Sequence, residues 1–183
     1  MDLPPRPGSY ALCLRLEHPE RLRPGRLGDL EFAAGDYVYV GSARGPGGVR
    51  ARLGRHLRQE KKPHWHVDAL TLVAWGTACL VALDDRSNPG DGMPLECAWS
   101  QRILQLPLAG IPAPGFGSQD CRYGCEAHLV YFKKLDLQEL TNILCDLTPQ
   151  TLFLQRTTGQ CTHKINAVDS SYFNQVYNWS DDR

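Results

Sequence analysis

The sequence lacks the features that place a chain in a membrane or outside the cell. Its longest apolar candidate, residues 70–83, contains Gly76 and Thr77 and is shorter than the roughly 20 residues that a membrane-spanning helix needs. The first eight residues contain no apolar stretch of the kind found in a signal peptide. The number of cysteines is odd, at 7, which favours reduced thiols over a disulfide framework. We therefore expect a cytoplasmic protein that does not bind a membrane.

The chain also lacks a net charge, because 20 lysines and arginines balance 20 aspartates and glutamates. This average hides a basic segment at residues 44–62, in which Glu60 is the only acid. Such a segment either binds a polyanion or forms a solvated helix face, and the charge pattern alone leaves both readings open. The candidate nucleic-acid-binding residues are Arg44, Arg50, Arg55, Arg58, Lys61 and Lys62.

Composition and periodicity predict a globular α+β fold. Hydrophobic residues make up 42% of the 183 residues, enough to bury a core without disulfide bonds. Strands are predicted where apolar residues alternate or form short β-branched runs, at 10–16, 27–32, 37–40, 72–83 (broken near Gly76) and 129–132. Helices are predicted at 49–59, 64–70 (helix or turn), 94–106 and 135–147. The glycines of 41–48 predict a loop.

The order of these elements favours a small antiparallel sheet flanked by helices. We expect residues 1–134 to form one domain and residues 135–183 to form a helical or irregular extension of unknown role.

Two tyrosines and a basic helix are predicted to meet at one edge of the sheet. Gly8-Ser9-Tyr10 opens the first strand, and Tyr39-Val40-Gly41 closes a later one. If these strands pair antiparallel, the start of one lies beside the end of the other, so both phenols reach the same edge. The loop that follows leads into the helix bearing Arg52 and His56. Taken singly, each residue is better explained as a packed aromatic or a structural histidine.

In order and spacing these residues resemble the GIY-YIG nucleases. The resemblance covers residues 8–132, and its motifs are Gly8-Ser9-Tyr10, Tyr39-Val40-Gly41-Ser42-Ala43, Arg52-Leu-Gly-Arg-His56 and Glu96 on a later helix. Further runs are similar to the Uri-type branch: 35–48, His64-Trp-His-Val-Asp68, Gly115-Phe-Gly-Ser118-x-Asp-Cys121 and His128-Leu. The resemblance implies a nuclease-like fold and an endonuclease that hydrolyses DNA phosphodiester bonds by direct attack of water.

The resemblance also implies a role for each site residue. Tyr39 would be the general base or would align the attacking water, and Tyr10 would position water or the scissile phosphate. Arg52 would contact the phosphate, and His56 would assist proton transfer or phosphate binding. Glu96 would be the one protein ligand of Mg²⁺ or Mn²⁺.

General chemistry agrees with these roles. One carboxylate suffices for Mg²⁺ when water and substrate phosphate supply the other oxygens. A tyrosine base needs a pKa well below the value of about 10 of a free phenol. Arg52 and a metal-bound phosphate are expected to lower the pKa of Tyr39 by favouring phenolate. For Glu96, an acid in a helix's first turn is also favourable through the helix dipole alone.

The chain departs from the family pattern at two points. Ser9 stands where the family has a branched aliphatic residue, and no residue matches the family's late asparagine. Ser118 and Asp120 are the nearest candidates for that position. A lost polar group there would alter substrate choice or weaken catalysis.

A group of thiols and one imidazole forms a second candidate site. Cys121-x₃-Cys125-x₂-His128, with Cys97 upstream, can bind Zn²⁺ through three sulfurs and one nitrogen. The spacing is loose, however, and thiols that pack as small hydrophobic groups are the simpler interpretation.

Two other functions therefore stay open beside the nuclease. One is a non-catalytic nucleic-acid-binding module that uses the basic segment 44–62. The other is a zinc-stabilised interaction protein in which 121–128 is the working part.

Overall fold

In the described residues, the strands form one large antiparallel sheet and one small one. The computed structural model describes residues 3–83 and 92–148, together with the backbone of 152–156. In chain order the strands are β1 (Gly8–Leu16), β2 (Glu20–Leu22), β3 (Leu30–Phe32), β4 (Gly35–Ala43), β5 (Trp75–Leu83), β6 (Leu129–Phe132) and β7 (Leu152–Arg156). The large sheet has five strands in the order β6-β4-β1-β5-β7, and β2 pairs with β3. All pairings are antiparallel.

Four α-helices accompany the sheet in the part of the chain that the structure describes, and the ends of α3 and α4 have local causes. They are α1 (Gly48–His56), α2 (His66–Thr71), α3 (Leu95–Ile103) and α4 (Leu137–Leu147). The helix α4 begins two residues later than its apolar pattern predicts because Asp136 caps it, accepting hydrogen bonds from the backbone N–H groups of Gln138 and Glu139. Pro94 stands immediately before α3, where its fixed φ favours helix initiation.

The central strand β1 is buried on both faces. Tyr10, Leu12 and Leu14 belong to one apolar cluster, which also includes Val49 and Leu53 of α1. The alternate residues of β1 belong to a second cluster, which contains Trp99 of α3 and Leu140 of α4. The sheet therefore lies between two helical layers. Each fully buried leucine side chain contributes about 2 kcal/mol of hydrophobic stabilisation.

The observed architecture confirms the predicted α+β class with an antiparallel sheet and flanking helices. It also corrects three details. Gly41 lies within β4 rather than in a loop, since it pairs with Tyr10. The predicted break near Gly76 is a β-bulge, where the register against β1 shifts at Cys13/Leu14. Finally, β7 pairs with β5 in a region for which the sequence predicted no element.

The predicted extension is partly within the described residues. Leu140 and Leu144 of α4 are buried in the same cluster as Trp99 and Ile103 of α3, so α4 packs onto the layer that covers the sheet. The domain boundary placed after residue 134 stays a prediction, and residues 157–183 of the extension lie outside the described residues. Among the described residues, no helix has the length and apolarity needed to cross a membrane.

Candidate active site

A cleft of about 420 Å³ opens at the end of the sheet where β1 begins and β4 ends. Four of the five predicted catalytic and metal-binding residues line it: Tyr10, Tyr39, Arg52 and Glu96. They come from β1, β4, α1 and α3, so the fold gathers side chains that lie far apart in the chain. The fifth, His56, is 1% exposed and lies behind Tyr10.

The two phenols are neighbours because of the antiparallel register. Tyr10 pairs with Gly41 and Leu12 pairs with Tyr39, which places both tyrosines on one face. Their ring centroids are 6.3 Å apart. A Cβ at position 41 would lie 2.6 Å from the Tyr10 hydroxyl oxygen, so the third residue of the motif must be glycine for Tyr10 to occupy this position.

His56 connects Tyr10 to a buried carboxylate. Its Nε2 lies 2.8 Å from the Tyr10 hydroxyl, and its Nδ1 lies 3.4 Å from Oδ1 of Asp68. Asp68 also accepts hydrogen bonds from the Arg55 guanidinium at 2.7 and 2.9 Å and from the backbone N–H groups of His64 and Trp65. The side chain of Asp68 is fully buried.

These contacts determine the direction of the hydrogen bonds. Burial alone would raise the pKa of Asp68, but its hydrogen bonds with His56, Trp65, Arg55 and His64 outweigh burial and hold that pKa well below its usual range. An ionised Asp68 can only accept, which assigns the proton of neutral His56 to Nδ1 and leaves Nε2 to accept from Tyr10. Burial lowers the pKa of His56 despite Asp68, so the neutral imidazole is favoured.

The structure corrects the expected titration of the phenols. Burial raises the pKa of Tyr39, and the opposing effect of Arg52 is smaller. Burial, together with Tyr39, likewise raises the pKa of Tyr10. Arg52 lowers the pKa of Tyr39, as expected, but the removal of water from the phenol outweighs this one guanidinium, so Tyr39 does not become a phenolate in the free protein.

Arg52 presents a positive charge at the cleft wall. Its guanidinium carbon lies 4.1 Å from the centre of the Trp65 ring, and that of Arg55 lies 4.3 Å from the same centre. Stacking on an aromatic face stabilises a guanidinium and fixes its orientation. Arg52 thus lines the cleft with its planar donors held in place, which suits the binding of a phosphate.

One carboxylate oxygen of Glu96 receives no hydrogen bond from the described part of the chain. Glu96 lies in the first turn of α3 and lines the cleft. Its Oε2 is buried and has no hydrogen-bond partner among the described residues. Such orphaned buried oxygens are rare because they lose hydration without replacement. A hard divalent cation that keeps several waters would satisfy this oxygen, so the residue fits the predicted metal role.

Of the two candidates for the late polar position, Asp120 lies at the cleft. Its side of the wall also contains Gly117, which has φ +75° and would place a Cβ 2.9 Å from the Tyr39 ring. The hydroxyl of Ser118 instead donates to the backbone carbonyl of Glu126 at 3.2 Å. A second cavity of about 550 Å³ shares Tyr39 and Asp120 with the first, so the cleft continues along the surface.

The three cysteines and the histidine of the second candidate site come together beside this cleft. The potential ligand atoms of Cys97, Cys121, Cys125 and His128 all lie within 4.8 Å of one another. The two Sγ atoms of Cys97 and Cys121 are 3.6 Å apart, and Sγ of Cys97 lies 4.0 Å from Nε2 of His128. This group, which we call the Cys₃His cluster, can hold a metal ion.

Comparison with known proteins places the chain in a family. The sequence model of the family described as Domain of unknown function DUF123 matches residues 9–148. The chain belongs to the DUF123 family. This is a GIY-YIG-like family of unknown function, so the resemblance drawn from the motifs is supported at the level of the family. No curated protein and no solved structure matches the chain.

The basic segment of this DUF123 domain divides into exposed and inward-facing residues. Arg44, Arg50, Arg58 and Lys62 are exposed. Arg55 is bound to Asp68, and Lys61, whose side chain is 4% exposed, donates to the His56 carbonyl and to the Thr71 hydroxyl. The last two cations stabilise the fold around Asp68, and we leave them out of the nucleic-acid interface proposed below.

Two residues of the DUF123 site had no role assigned from the sequence. Asp68 hydrogen-bonds His56. The ring of Trp65 stacks against the guanidinium groups of Arg52 and Arg55. An acid in the run His64-Trp-His-Val-Asp68, close after a basic helix, was the available signal. Spacing alone does not connect Asp68 to His56, because a non-helical turn separates their helices.

Proposed function

We propose that this DUF123 domain is a divalent-metal-dependent endonuclease of the Uri type that hydrolyses DNA phosphodiester bonds by direct attack of water. The observation that carries the proposal is the orphaned Oε2 of Glu96 in the same cleft as Arg52 and the two phenols. A carboxylate for a metal, a fixed cation for a phosphate and a hydrogen-bonded phenol are the groups that phosphodiester hydrolysis needs.

Arg52 binds and orients the scissile phosphate. Its stacked guanidinium offers two parallel donors, and it offsets the negative charge that grows on the phosphate oxygens as water attacks. The exposed residues Arg44, Arg50, Arg58 and Lys62 bind flanking phosphates of the DNA. These outer contacts fix the register of the strand without reading its sequence.

Tyr10 and His56 accept the proton of the attacking water. The phenol oxygen takes the water's proton while the phenol passes its own proton to Nε2 of His56, which lies 2.8 Å away. The resulting hydroxide forms a bond to phosphorus, and the bond from phosphorus to the leaving sugar oxygen breaks. Asp68 stabilises the imidazolium that forms, and the proton returns to the products through Tyr10.

Tyr39 acts as a neutral phenol in this proposal. Burial raises its pKa, so at neutral pH its hydroxyl donates and accepts hydrogen bonds rather than carrying charge. It lies on the same face as Tyr10 and lines both parts of the cleft. We assign to it the alignment of the attacking water, one of the two roles that the resemblance implies.

Glu96 would hold the Mg²⁺ or Mn²⁺ ion, with water and substrate supplying the remaining oxygens. The bound ion would supply Lewis-acid polarisation of the phosphate and stabilisation of the leaving oxygen. The position of Glu96 at the end of α3 nearest the two tyrosines brings the carboxylate to the same phosphate that Arg52 binds.

A cleavage panel tests the proposal. Purified protein is incubated with single-stranded, duplex and branched DNA, with and without Mg²⁺ or Mn²⁺. We expect metal-dependent cleavage of at least one substrate, and we expect Tyr39→Phe to reduce it. Tyr37→Phe is the matched control, because Tyr37 is also a buried phenol of β4 but bonds the Ala33 carbonyl and lies outside the cleft lining.

A non-catalytic nucleic-acid-binding module is the second candidate. The observation in its favour is the raised pKa of both phenols in the free protein, since neither phenol is a base by itself. This candidate predicts salt-sensitive DNA binding without cleavage under any metal. The same panel, read by both binding and product formation, separates the two.

A further inference from the structure

We propose that Cys97, Cys121, Cys125 and His128 bind one Zn²⁺ ion in a structural site separate from the metal proposed at Glu96. The proposal needs no nuclease activity and stands on the geometry of the Cys₃His cluster. Three thiolates and one imidazole form a ligand set typical of closed, four-coordinate structural zinc sites.

The distances fit a single ion at the centre of the cluster. With zinc–sulfur bonds of about 2.3 Å and zinc–nitrogen bonds of about 2.0 Å, the ligand atoms of a tetrahedral site lie roughly 3.5–3.8 Å apart. The Cys97 and Cys121 sulfurs are 3.6 Å apart, and the Cys97 sulfur is 4.0 Å from Nε2 of His128. All four ligand atoms lie within 4.8 Å of one another, so small side-chain shifts would complete the tetrahedron.

The surroundings of the sulfurs also suit thiolate ligands. The backbone N–H of Tyr123 donates to Sγ of Cys121 at 3.4 Å, and the side-chain amide of Gln101 donates to Sγ of Cys125 at 3.7 Å. Donors of this kind, outside the ligands themselves, orient metal-bound sulfurs and spread their negative charge. The same Gln101 amide also donates to the Tyr123 carbonyl, so the hydrogen bonds around the two sulfurs are linked to one another.

The position of the cluster explains what the ion would do. Cys97 lies in α3, Cys121 and Cys125 lie in the turns after residue 117, and His128 immediately precedes β6. This connecting stretch contains little regular structure, and one ion would fix it to α3. Because Cys97 directly follows Glu96, the same ion would also hold the carboxylate at the cleft.

Metal analysis of the full chain tests the proposal. Protein purified under reducing conditions with zinc supplied, then dialysed, should retain about one zinc ion per chain. Replacement of zinc by Co²⁺ should give the strong visible bands of a tetrahedral site and a thiolate-to-cobalt charge-transfer band. Both readouts are independent of DNA cleavage, so failure of the nuclease proposal would leave them unchanged, and Glu96→Gln should retain the zinc.

Variants assign the ion to the cluster. Cys125→Ser and Cys121→Ser should each lose most of the zinc, whereas Cys145→Ser on α4 should retain it, because Cys145 is a free cysteine outside the cluster. The zinc content and the cobalt spectrum of the wild-type protein test the proposal even if a variant fails to fold. The proposal is overturned by wild-type protein without zinc, by stoichiometric iron in its place, by a Cys97–Cys121 disulfide in the reduced preparation, or by zinc retained in a Cys121→Ser/Cys125→Ser double variant.

Discussion

The hydroxyl of Tyr10 donates to Nε2 of His56 across 2.8 Å, and the histidine is itself backed by Asp68. This arrangement lets a neutral phenol pass on a proton although burial raises its pKa. It also separates the roles of the two tyrosines, because Tyr10 hydrogen-bonds the imidazole, whereas the ring of Tyr39 packs edge-on against it with centroids 6.0 Å apart. The following predictions test this relay, the carboxylate at the cleft and the exposed basic residues.

Tyr10→Phe should lower the cleavage rate at saturating substrate by about 100-fold, because general-base assistance typically contributes 10²–10⁴-fold. The change removes one hydroxyl and keeps the ring that packs on Gly41. Its effect on KM should be small, since the proposal assigns phosphate binding to Arg52 and not to Tyr10. Tyr37→Phe is the control, and equal losses in both variants would mean that Tyr10 acts only through packing.

The cleavage rate of the wild type should rise with pH through the pKa of His56. Neutral imidazole is the form that accepts the proton, and burial places its pKa below the ordinary value of about 6.5. The acidic limb of the rate profile should therefore have an apparent pKa below 6.5. In His56→Gln this limb should disappear along with most of the activity, and an unchanged limb would assign the titration to another group.

Asp68→Asn should lower the free energy of unfolding at pH 7 by about 3–5 kcal/mol, because it removes the counter-ion of the partly buried Arg55 guanidinium. The pKa of Asp68 is depressed in the folded state, so its contribution is full above the unfolded pKa of about 4 and is lost as pH falls below that value. Urea unfolding between pH 7 and pH 3 should show the difference between the two proteins shrinking toward low pH. A constant difference would contradict this assignment.

Arg58→Gln and Lys62→Gln should weaken DNA binding and reduce the dependence of log K on log salt by about one each. Both residues are exposed in the segment that follows Arg52. Lys133→Gln and Lys134→Gln are matched controls, since these exposed lysines follow β6. Equal effects of all four changes would show that affinity follows overall charge and not this surface.

The sequence predicted five of the seven described strands and the four helices because their apolar spacing is regular, and it missed β2 and β7. It also predicted the meeting of Tyr10, Tyr39 and Arg52, because an antiparallel register and the helix that follows fix where those residues lie. The place of Glu96 at the same cleft was implied by the resemblance to the GIY-YIG nucleases. It could not predict that Asp68 lies under His56, which depends on how α2 packs against α1. The net titration of Tyr39 was not predicted for a related reason: the burial that raises its pKa depends on the whole core, and it outweighs the lowering effect of Arg52.

The assembly of the Cys₃His cluster likewise could not be predicted from the sequence. Loose spacing in the sequence favoured packed thiols, yet the turns after Gly117 fold back and bring Cys121 and Cys125 to Cys97 on α3. Glycines allow these turns, since Gly115, Gly117 and Gly124 all have positive φ. Long-range closure of this kind leaves no periodic signal in a single sequence.

Glu96→Gln tests the account most directly when activity and stability are measured on the same samples. We expect metal-dependent cleavage to fall at least about 100-fold, while the unfolding temperature stays equal or rises, because the change removes charge from a buried oxygen that has no partner among the described residues. Glu126→Gln, at an exposed position near the cluster, should change neither. Cleavage that survives Glu96→Gln at the wild-type rate would contradict the account.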